Sequence, residues 1–433
     1  MLQIDSRKVK DGDTFIALKG VNNDGHDFIL DAISNGADKI IAEHGLYSVD
    51  TYIVKDTFEY LKNYLKEIDL SSLKLIGITG TNGKTTSCYL LYHLLNEIGV
   101  KTAYIGTLGF YLEEKVKDLK NTTPSIIDIY EMLNECILNK YQYVVMEVSS
   151  HALEQDRAVG LNFEYGVFTN LTQDHLDYHK TMENYALSKQ KLMTKSVKTI
   201  VNIDDEYKDY FLLENSITYG FAKSNYQIKE YETNMDGTTF KINDKTYKTN
   251  LIGKHNIYNI LISIIVLEDL KKEIPSLEKL PFPKGRMEII EYETNKIIID
   301  YAHTPDAVRN IVTAIKELKP NNIYTIIGCG GDRDATKRPI MASIATTYSD
   351  YVIFTSDNPR HEDPLLILDD MIKDLENENY EVVINRQEAI QKGIQKLEKN
   401  DILLVLGKGH ENYQIIGDEY YHFDDSEEVL KYL

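Results

Sequence analysis

Residues 77–87 read G-I-T-G-T-N-G-K-T-T-S. A glycine-rich turn followed by lysine and threonine, set between an apolar run and an amphipathic one, has the parts of a phosphate cradle. Gly80 and Gly83 let backbone N–H groups turn toward an anion at the start of a helix whose dipole favours negative charge. Lys84 would reach the terminal phosphates of a nucleotide, and the Thr85 hydroxyl would ligate Mg2+. The spacing is unusual. The general loop is G-x-x-x-x-G-K-[ST], yet Ile78 stands where its first glycine belongs, and the available glycines are Gly80 and Gly77. Two more groups suit metal–nucleotide chemistry. Glu147 ends the apolar run YQYVVMEV, where a carboxylate would hold a metal, and His175 in FTNLTQDHLDYH is a candidate ligand. Each has an ordinary alternative: a strand-end surface acid for Glu147 and a solvated loop histidine for His175.

The bulk composition limits what such a site serves. The formal net charge is −20. That argues against non-specific binding to nucleic acid or anionic membranes, which needs a basic surface. An anionic substrate must therefore meet a local basic pocket. Cys88, Cys136 and Cys329 are far apart and form no CxxC pair, so reduced thiols in a cytoplasmic protein are expected. The first residues do not read as a signal peptide, and no apolar run is long enough to span a bilayer. Lysine and arginine total 48, but only eight are arginines: residues 7, 157, 286, 309, 333, 338, 360 and 386. Where lysine supplies generic charge, arginine marks places that need a rigid planar fork for carboxylate or phosphate.

The elements that must position these groups follow from periodicity. The 433 residues suffice for two to four domains at roughly 100–200 residues each. Up to about residue 72, TFIALKG and DKIIAEH read as strands, while HDFILDAISNGA and TFEYLKNYLKEIDL read as helices. From LIGITG onward, apolar strands alternate with helices such as TTSCYLLYHLLNEIG and IIDIYEMLNECILNK, which means a parallel sheet with crossover helices. Residues 216–252 read as antiparallel strands with a turn at MDGTT, and GKHNIYNILISIIVLEDL as a long helix. After the Pro-containing stretch PSLEKLPFPKG, the runs NKIIIDYA, NIYTIIGCGG, YVIFTSD, YEVVIN and DILLVLGKG make a second doubly wound unit. In such sheets ligands bind beyond the carboxyl ends of the strands.

The respaced loop GTNGKTT resembles that of the Mur ligase family, which shares it with folylpolyglutamate synthetases. NTTPS (121–125), MEVSSHALEQDR (146–157), NLTQDHLDYH (170–179), GRMEII (285–290), DYAHTPDA (300–307), GCGGDRD (328–334), KRPIM (337–341), SDNPR (356–360) and GKGHE (407–411) occur in that family's order, over essentially the whole chain. The resemblance implies three α/β domains. These are a small N-terminal UDP-binding domain (1–72), a central P-loop ATPase domain with a parallel sheet (73–283) and a C-terminal Rossmann-like, amino-acid-binding domain (284–433). It implies a monomeric cytoplasmic ligase of peptidoglycan precursor assembly, and through that a part in cell shape and division. The implied reaction adds meso-2,6-diaminopimelate to UDP-N-acetylmuramoyl-L-alanyl-D-glutamate. ATP would phosphorylate a substrate carboxylate, and the incoming amine would displace phosphate. L-Lysine or lanthionine as the added amino acid, a folylpolyglutamate synthetase, and a nucleotide switch that forms no bond remain the alternatives.

Carried over by resemblance, Lys84, Glu147, His175 and Lys189 are the catalytic set. Thr85, Glu147, His175 and a carbamylated Lys189 would serve two Mg2+ ions. Lys189 closes an A-x-x-K spacing from Ala186; Lys191 competes for the register. Gly80, Thr81, Asn82, Gly83, Lys84, Thr85 and Thr86 would cradle ATP. Asn256 and Asn259 would lie on the adenine side, and Arg286, Asp300 and His303 would reach in from the C-terminal domain. Ser6, Asn22, Thr122, Thr123, Ser149, Gln155 and Arg157 would grip the UDP-sugar-peptide. Ser6 lies near the start of the sequence, so a shortened UDP-binding strand is expected. Arg333, Asp357, Asn358, Arg360, Gly407 and Glu411 would read diaminopimelate, with Arg360 forking its distal carboxylate.

Overall fold

The runs Lys74–Thr79 and Tyr143–Glu147 are apolar at successive positions because helices cover both faces of the sheet they enter. Leu75, Val144 and Met146 point into one apolar cluster, whereas Ile76, Ile78 and Val145 point into another on the opposite face. In the computed structural model, which describes residues 2–20 and 23–433, the Lys74–Thr79 strand lies at the centre of the middle domain. It pairs in parallel with Tyr143–Glu147 on one side and Phe163–Phe168 on the other. Thr102–Gly106 and Ser196–Asn202 extend the parallel region outward. Helices Lys84–Glu97 and Lys254–Asp269 share one cluster on one face, and Ile126–Leu138 and Met182–Thr194 contribute to the other.

The N-terminal unit is a parallel sheet of four strands in chain order, Leu2–Gln3, Asp13–Ile16, Ala37–Ala42 and Asp50–Ile53. Its core is continuous with the middle domain. Ile16, Ile41, Leu61 and Leu65 belong to the same cluster as Met132 and Leu133. Lys8 pairs with Asp128 at 2.6 Å, and Gln3 Nε2 donates to Glu131 at 3.3 Å. The C-terminal domain holds a six-stranded sheet. Asn295–Asp300, Ile402–Leu406, Ile323–Ile327, Tyr351–Phe354 and Tyr380–Val382 run parallel, and Glu288–Tyr292 adds an antiparallel edge.

Four features differ from the sequence reading. The segment 216–252 is antiparallel only from Tyr226–Asn234 onward; Ile217–Gly220 pairs in parallel on both sides and continues the main sheet. Hairpins at Gly109–Tyr111/Lys115–Lys117 and Tyr413–Ile416/Glu419–His422 were not anticipated. Both are short, and their pairing depends on where the adjoining strand ends rather than on their own periodicity. The Asp50–Ile53 strand was likewise unread, being mostly exposed.

The arginines divide between forks for the chain's own acids and groups facing the clefts. Arg386 and Asp425 are both fully buried and meet through two hydrogen bonds of 2.7 Å. Arg338 forks Glu362 and reaches Asp370. Removing one partner of a fully buried pair leaves an uncompensated charge. Asp425→Asn is therefore expected to destabilise the C-terminal domain by about 3–5 kcal/mol, read from the urea midpoint. The double change Arg386→Met with Asp425→Leu should be milder, and equal costs would contradict the ion-pair account.

Candidate active site

The phosphate loop and Glu147 sit where parallel strands of the middle domain end, and Lys189, Asn256 and Asn259 are brought to them by helices. The Lys74–Thr79 strand runs into Gly80–Gly83, and Gly83 at φ +86° turns the chain into the Lys84–Glu97 helix. Gly80, at φ +150°, packs against the loop after Phe163–Phe168; a Cβ there would lie 1.9 Å from Thr169 Oγ1 and about 3.0 Å from the Asn170 backbone. Thr81 N donates to Asn170 O, and Asn82 N donates to Asn170 Oδ1. The loop is thus braced from the neighbouring strand. Lys84 Nζ folds over it, donating to the Gly80 and Thr81 carbonyls at 2.9 Å each. Loss of solvent holds its pKa below the usual lysine value.

Glu147 is completely buried and accepts four hydrogen bonds. Thr85 Oγ1 donates to Oε2 at 2.8 Å and Thr107 Oγ1 at 3.1 Å; Tyr104 OH and Thr107 N donate to Oε1 at 2.7 and 2.8 Å. Thr85 and Glu147 therefore present a hydroxyl and a carboxylate side by side beneath the loop. That is a hard-oxygen pair suited to Mg2+, which takes one or two protein groups and completes its shell with phosphate and water. Among the described residues no three His, Cys, Asp or Glu side chains converge as a closed cage. His175, in the left-handed conformation at φ +54°, begins the short Leu176–His179 helix beside Asp174. Burial lowers its pKa to about 3, so its ring is neutral and able to ligate.

Lys189 is almost fully buried on the Met182–Thr194 helix. Its Nζ donates to Gly80 O at 2.7 Å, the same carbonyl that Lys84 uses, and lies 4.6 Å from the Tyr185 ring centroid. Burial, and then the Lys84 charge, push its pKa well below the usual lysine value. Lys191 instead pairs with Glu154 at the surface. Lys189 faces the loop and Lys191 does not.

The C-terminal domain faces this loop. Arg286 stacks over Tyr301 at 4.3 Å and donates to Thr85 Oγ1 at 3.4 Å. Asn82 Nδ2 donates to Asp306 at 2.9 Å, Gln173 to Thr336 at 2.9 Å, and Lys337 lies 3.6 Å from Asp174. Between the domains lies a cavity of about 480 Å³. Loop residues from Thr81 to Thr86, Asn256, Asn259, Arg286, Asp300 and His303 all line it. Asn259 and Asn256 are tied to one another and to Ser87 Oγ. Asp300 accepts from Met287 N at 2.8 Å, and burial raises its pKa. His303 is held neutral by burial, its pKa lowered to about 4.

The residues expected to grip the sugar-peptide fall into two places. Thr122 accepts from Thr107 Oγ1 beside Glu147. Thr123 and Ser149 exchange hydrogen bonds, and Arg157 donates to Thr123 O and Gln155. These five form one ledge on the central domain. Ser6 is buried in the N-terminal unit, where its carbonyl accepts from Asn35. Asn22, with Val21 and Met1, lies outside the described residues.

The amino-acid group assembles at the carboxyl ends of the C-terminal strands. Arg360 and Arg333 flank Gly330, and Arg360 Nη1 donates to Gly331 O at 2.8 Å. Asp357 and Asn358 are buried, and Asn358 Nδ2 donates to Glu411 Oε2 at 2.8 Å. Gly407, at φ +112°, lets Asp357 Oδ2 approach to 2.7 Å of where its Cβ would be. Sequence reasoning passed over Thr107, Tyr104, Asp174, Asp306 and Lys408. Asp174, Asp306 and Lys408 lie inside the motif strings, so their neighbours were a signal. Thr107 and Tyr104 carried none.

A phosphate loop on one wall, a second Rossmann-like domain on the other, and an arginine crossing between them define a multidomain nucleotide-using enzyme. Family models match in order along the chain: "Mur ligase family, catalytic domain" at residues 1–70, "Mur ligase middle domain" at 78–267 and "Mur ligase, glutamate ligase domain" at 285–409. The chain belongs to the Mur ligase family. A Bacillus cereus protein named UDP-N-acetylmuramoyl-L-alanyl-D-glutamate–2,6-diaminopimelate ligase is 41% identical over 98% of this chain and 92% of its own length. A Clostridium botulinum protein of the same name is 41% identical, over 99% and 94%. A solved structure bearing that name superposes with a TM-score of 0.69 and 32% identity, covering 100% of this chain and 94% of its own.

The close packing of Gly80 supplies a test. Gly80→Ala should abolish the rise in melting temperature that ATP with Mg2+ gives the unmodified chain. A retained shift would mean that nucleotide binds elsewhere.

Proposed function

We propose that the chain is an ATP-dependent ligase that joins 2,6-diaminopimelate to UDP-N-acetylmuramoyl-L-alanyl-D-glutamate. The observation that carries this reading is the polarity of the C-terminal recess. Arg333 and Arg360 stand together beside Gly330, Asp357 lies against Gly407, and Glu411 accepts from Asn358, the residue after Asp357. A two-headed amino acid presents a distal carboxylate and a distal ammonium to such a recess. Arg360 forks the carboxylate. Lysine ends in an ammonium alone and leaves both guanidinium groups unmatched. Lanthionine has the same two ends and remains the closest competitor.

The chemistry divides between the two walls. Condensing a carboxylate with an amine requires an activated carboxyl. Transfer of the γ-phosphoryl group of ATP to the substrate carboxylate gives an acyl phosphate and ADP. Attack by the free amine forms the amide, releases phosphate, and sheds a proton to solvent. Such catalysis is mainly positioning and charge neutralisation. Lys84 exchanges its loop carbonyls for phosphate oxygens. Arg286 adds a cation from the opposite wall once the domains close. Mg2+ held by Thr85 and Glu147, and a second ion held by His175 and a modified Lys189, would supply further neutralisation. The Thr123–Ser149–Arg157 ledge, with Thr122 and Gln155, orients the sugar-peptide, and Ser6 marks the uridine end.

The surroundings of Lys189 support its carbamylation. Two lysines share the Gly80 carbonyl, and burial favours the uncharged amine. An uncharged amine adds CO2 to become a carbamate. The site thereby exchanges a repelled cation for an anion that holds metal. Both substrates are water-borne, and no helix among the described residues is long and apolar enough to cross a membrane. The three cysteines are free and buried. We place the reaction in the cytoplasm and take the chain to act as a monomer.

The deciding experiment offers UDP-N-acetylmuramoyl-dipeptide, ATP and Mg2+ with diaminopimelate, lanthionine and lysine in competition, read by product mass. Diaminopimelate should dominate; lysine incorporated as readily would defeat the reading. Separately, Lys189→Ala should lose most activity and regain part of it with a small added carboxylate such as formate. No recovery would leave Lys189 as an ordinary buried amine.

A further inference from the structure

Lys408 is the middle residue of Gly407-Lys408-Gly409, and its side chain is completely buried. Both glycines have positive φ, +112° and +51°. A Cβ on Gly409 would lie 2.6 Å from Gly285 O, so this backbone path excludes other residues. The path turns the lysine inward. Its ammonium has three N–H donors and three acceptors: Asn358 Oδ1 at 3.3 Å, Glu411 Oε2 at 3.5 Å, and the Tyr413 carbonyl. A buried ammonium so fully matched is built in, since burying a charge without partners is strongly unfavourable.

The partners of Lys408 are the residues proposed to read the amino acid. Asn358 Oδ1 accepts from both Lys408 Nζ and Ile415 N, so its two lone pairs are used. Its Nδ2 donates to Glu411. The amide is locked in one orientation, with only one N–H left to offer a ligand. Asn358 therefore has no lone pair left for a ligand's ammonium, and the carboxylates of Asp357 and Glu411 are left to accept it. The same contacts hold the Tyr413–Ile416 strand against the Arg360 loop, where Arg360 N donates to Ile415 O and Gln414 donates to Asp357 O. The charges close simply. Asp357 and Glu411 are acids, Lys408 cancels one of them, and the nearby Arg386 is already neutralised by Asp425. Leaving aside Arg333 and Arg360, which face the distal carboxylate, one net negative charge remains for the ammonium.

We propose, resting on the function above, that Lys408 is a positioning residue for amino-acid selection. It locks the Asn358 amide and balances one of the two carboxylates, so that the recess accepts one ammonium and keeps Arg360 in register. Lys408 does not touch the substrate.

The test uses the full chain and steady-state kinetics with each substrate varied. Lys408→Met removes the charge at similar volume. The KM for diaminopimelate should rise roughly thirtyfold or more, while the KM for ATP stays within about twofold. A fall in kcat with every KM unchanged, as reduced folding alone would give, overturns the proposal. So does an equal rise in both KM values. Glu411→Gln and the double variant complete a cycle and cover the case in which Lys408→Met alone folds poorly. The double variant restores the net charge of the recess, so it should be no worse than Lys408→Met. Multiplied single effects overturn the role. If the unmodified chain incorporates no diaminopimelate, the function itself fails, and this role with it. Incorporation with a flat Lys408→Met profile rejects Lys408 alone.

Discussion

Glu147 ties the phosphate loop to the sheet, and the rest of the site is arranged around that tie. Its carboxylate has no exposure to water, yet it draws hydrogen bonds from Thr85 on the loop helix and from Tyr104 and Thr107 at the end of the adjacent strand. A buried carboxylate is stable only when its oxygens are so satisfied. The requirement fixes the helix start, the strand end and the metal-facing hydroxyl relative to one another. Thr107 then passes the order on to Thr122, next to the sugar-peptide ledge. Lys84 and Lys189 converge on one loop carbonyl, and burial disfavours the charged form of both.

A chain of net charge −20 that handles anionic substrates must concentrate its cations. It does so by facing the carboxyl ends of two parallel sheets across one cavity. The middle domain brings Lys84 and the loop N–H groups; the other brings Arg286 and, farther along its strand ends, Arg333 and Arg360. Polar contacts such as Asn82–Asp306 and Lys337–Asp174 join loops of the middle domain to helix starts of the C-terminal one, and Ile252 of the middle domain is buried in the C-terminal core. The apolar core of the N-terminal unit likewise runs into that of the middle domain.

The arginine economy has two outcomes that composition could not separate. Arg338 and Arg386 fork acids of the chain itself and hold the C-terminal domain together. Arg157, Arg286, Arg333 and Arg360 face the ledge and clefts. The chemistry of the fork is the same in both; only the origin of the carboxylate or phosphate differs.

From sequence alone, the alternation of apolar strands and helices determined the class of fold, and G-T-N-G-K-T-T determined that a phosphate loop follows the first central strand. Both are local: strand period, glycine at positive φ and a helix start involve residues close in the chain. The motif strings also marked most of the groups that line the cleft. Tertiary structure decided the rest, because the decisive partners are distant in sequence. The A-x-x-K spacing favours Lys189 over Lys191, but only the fold puts its amine on Gly80, over a hundred residues away. Nothing near Arg386 reveals that it serves Asp425 instead of a ligand. Nor does G-K-G disclose that its lysine faces inward onto Asn358, since that depends on how two loops from separate strands meet.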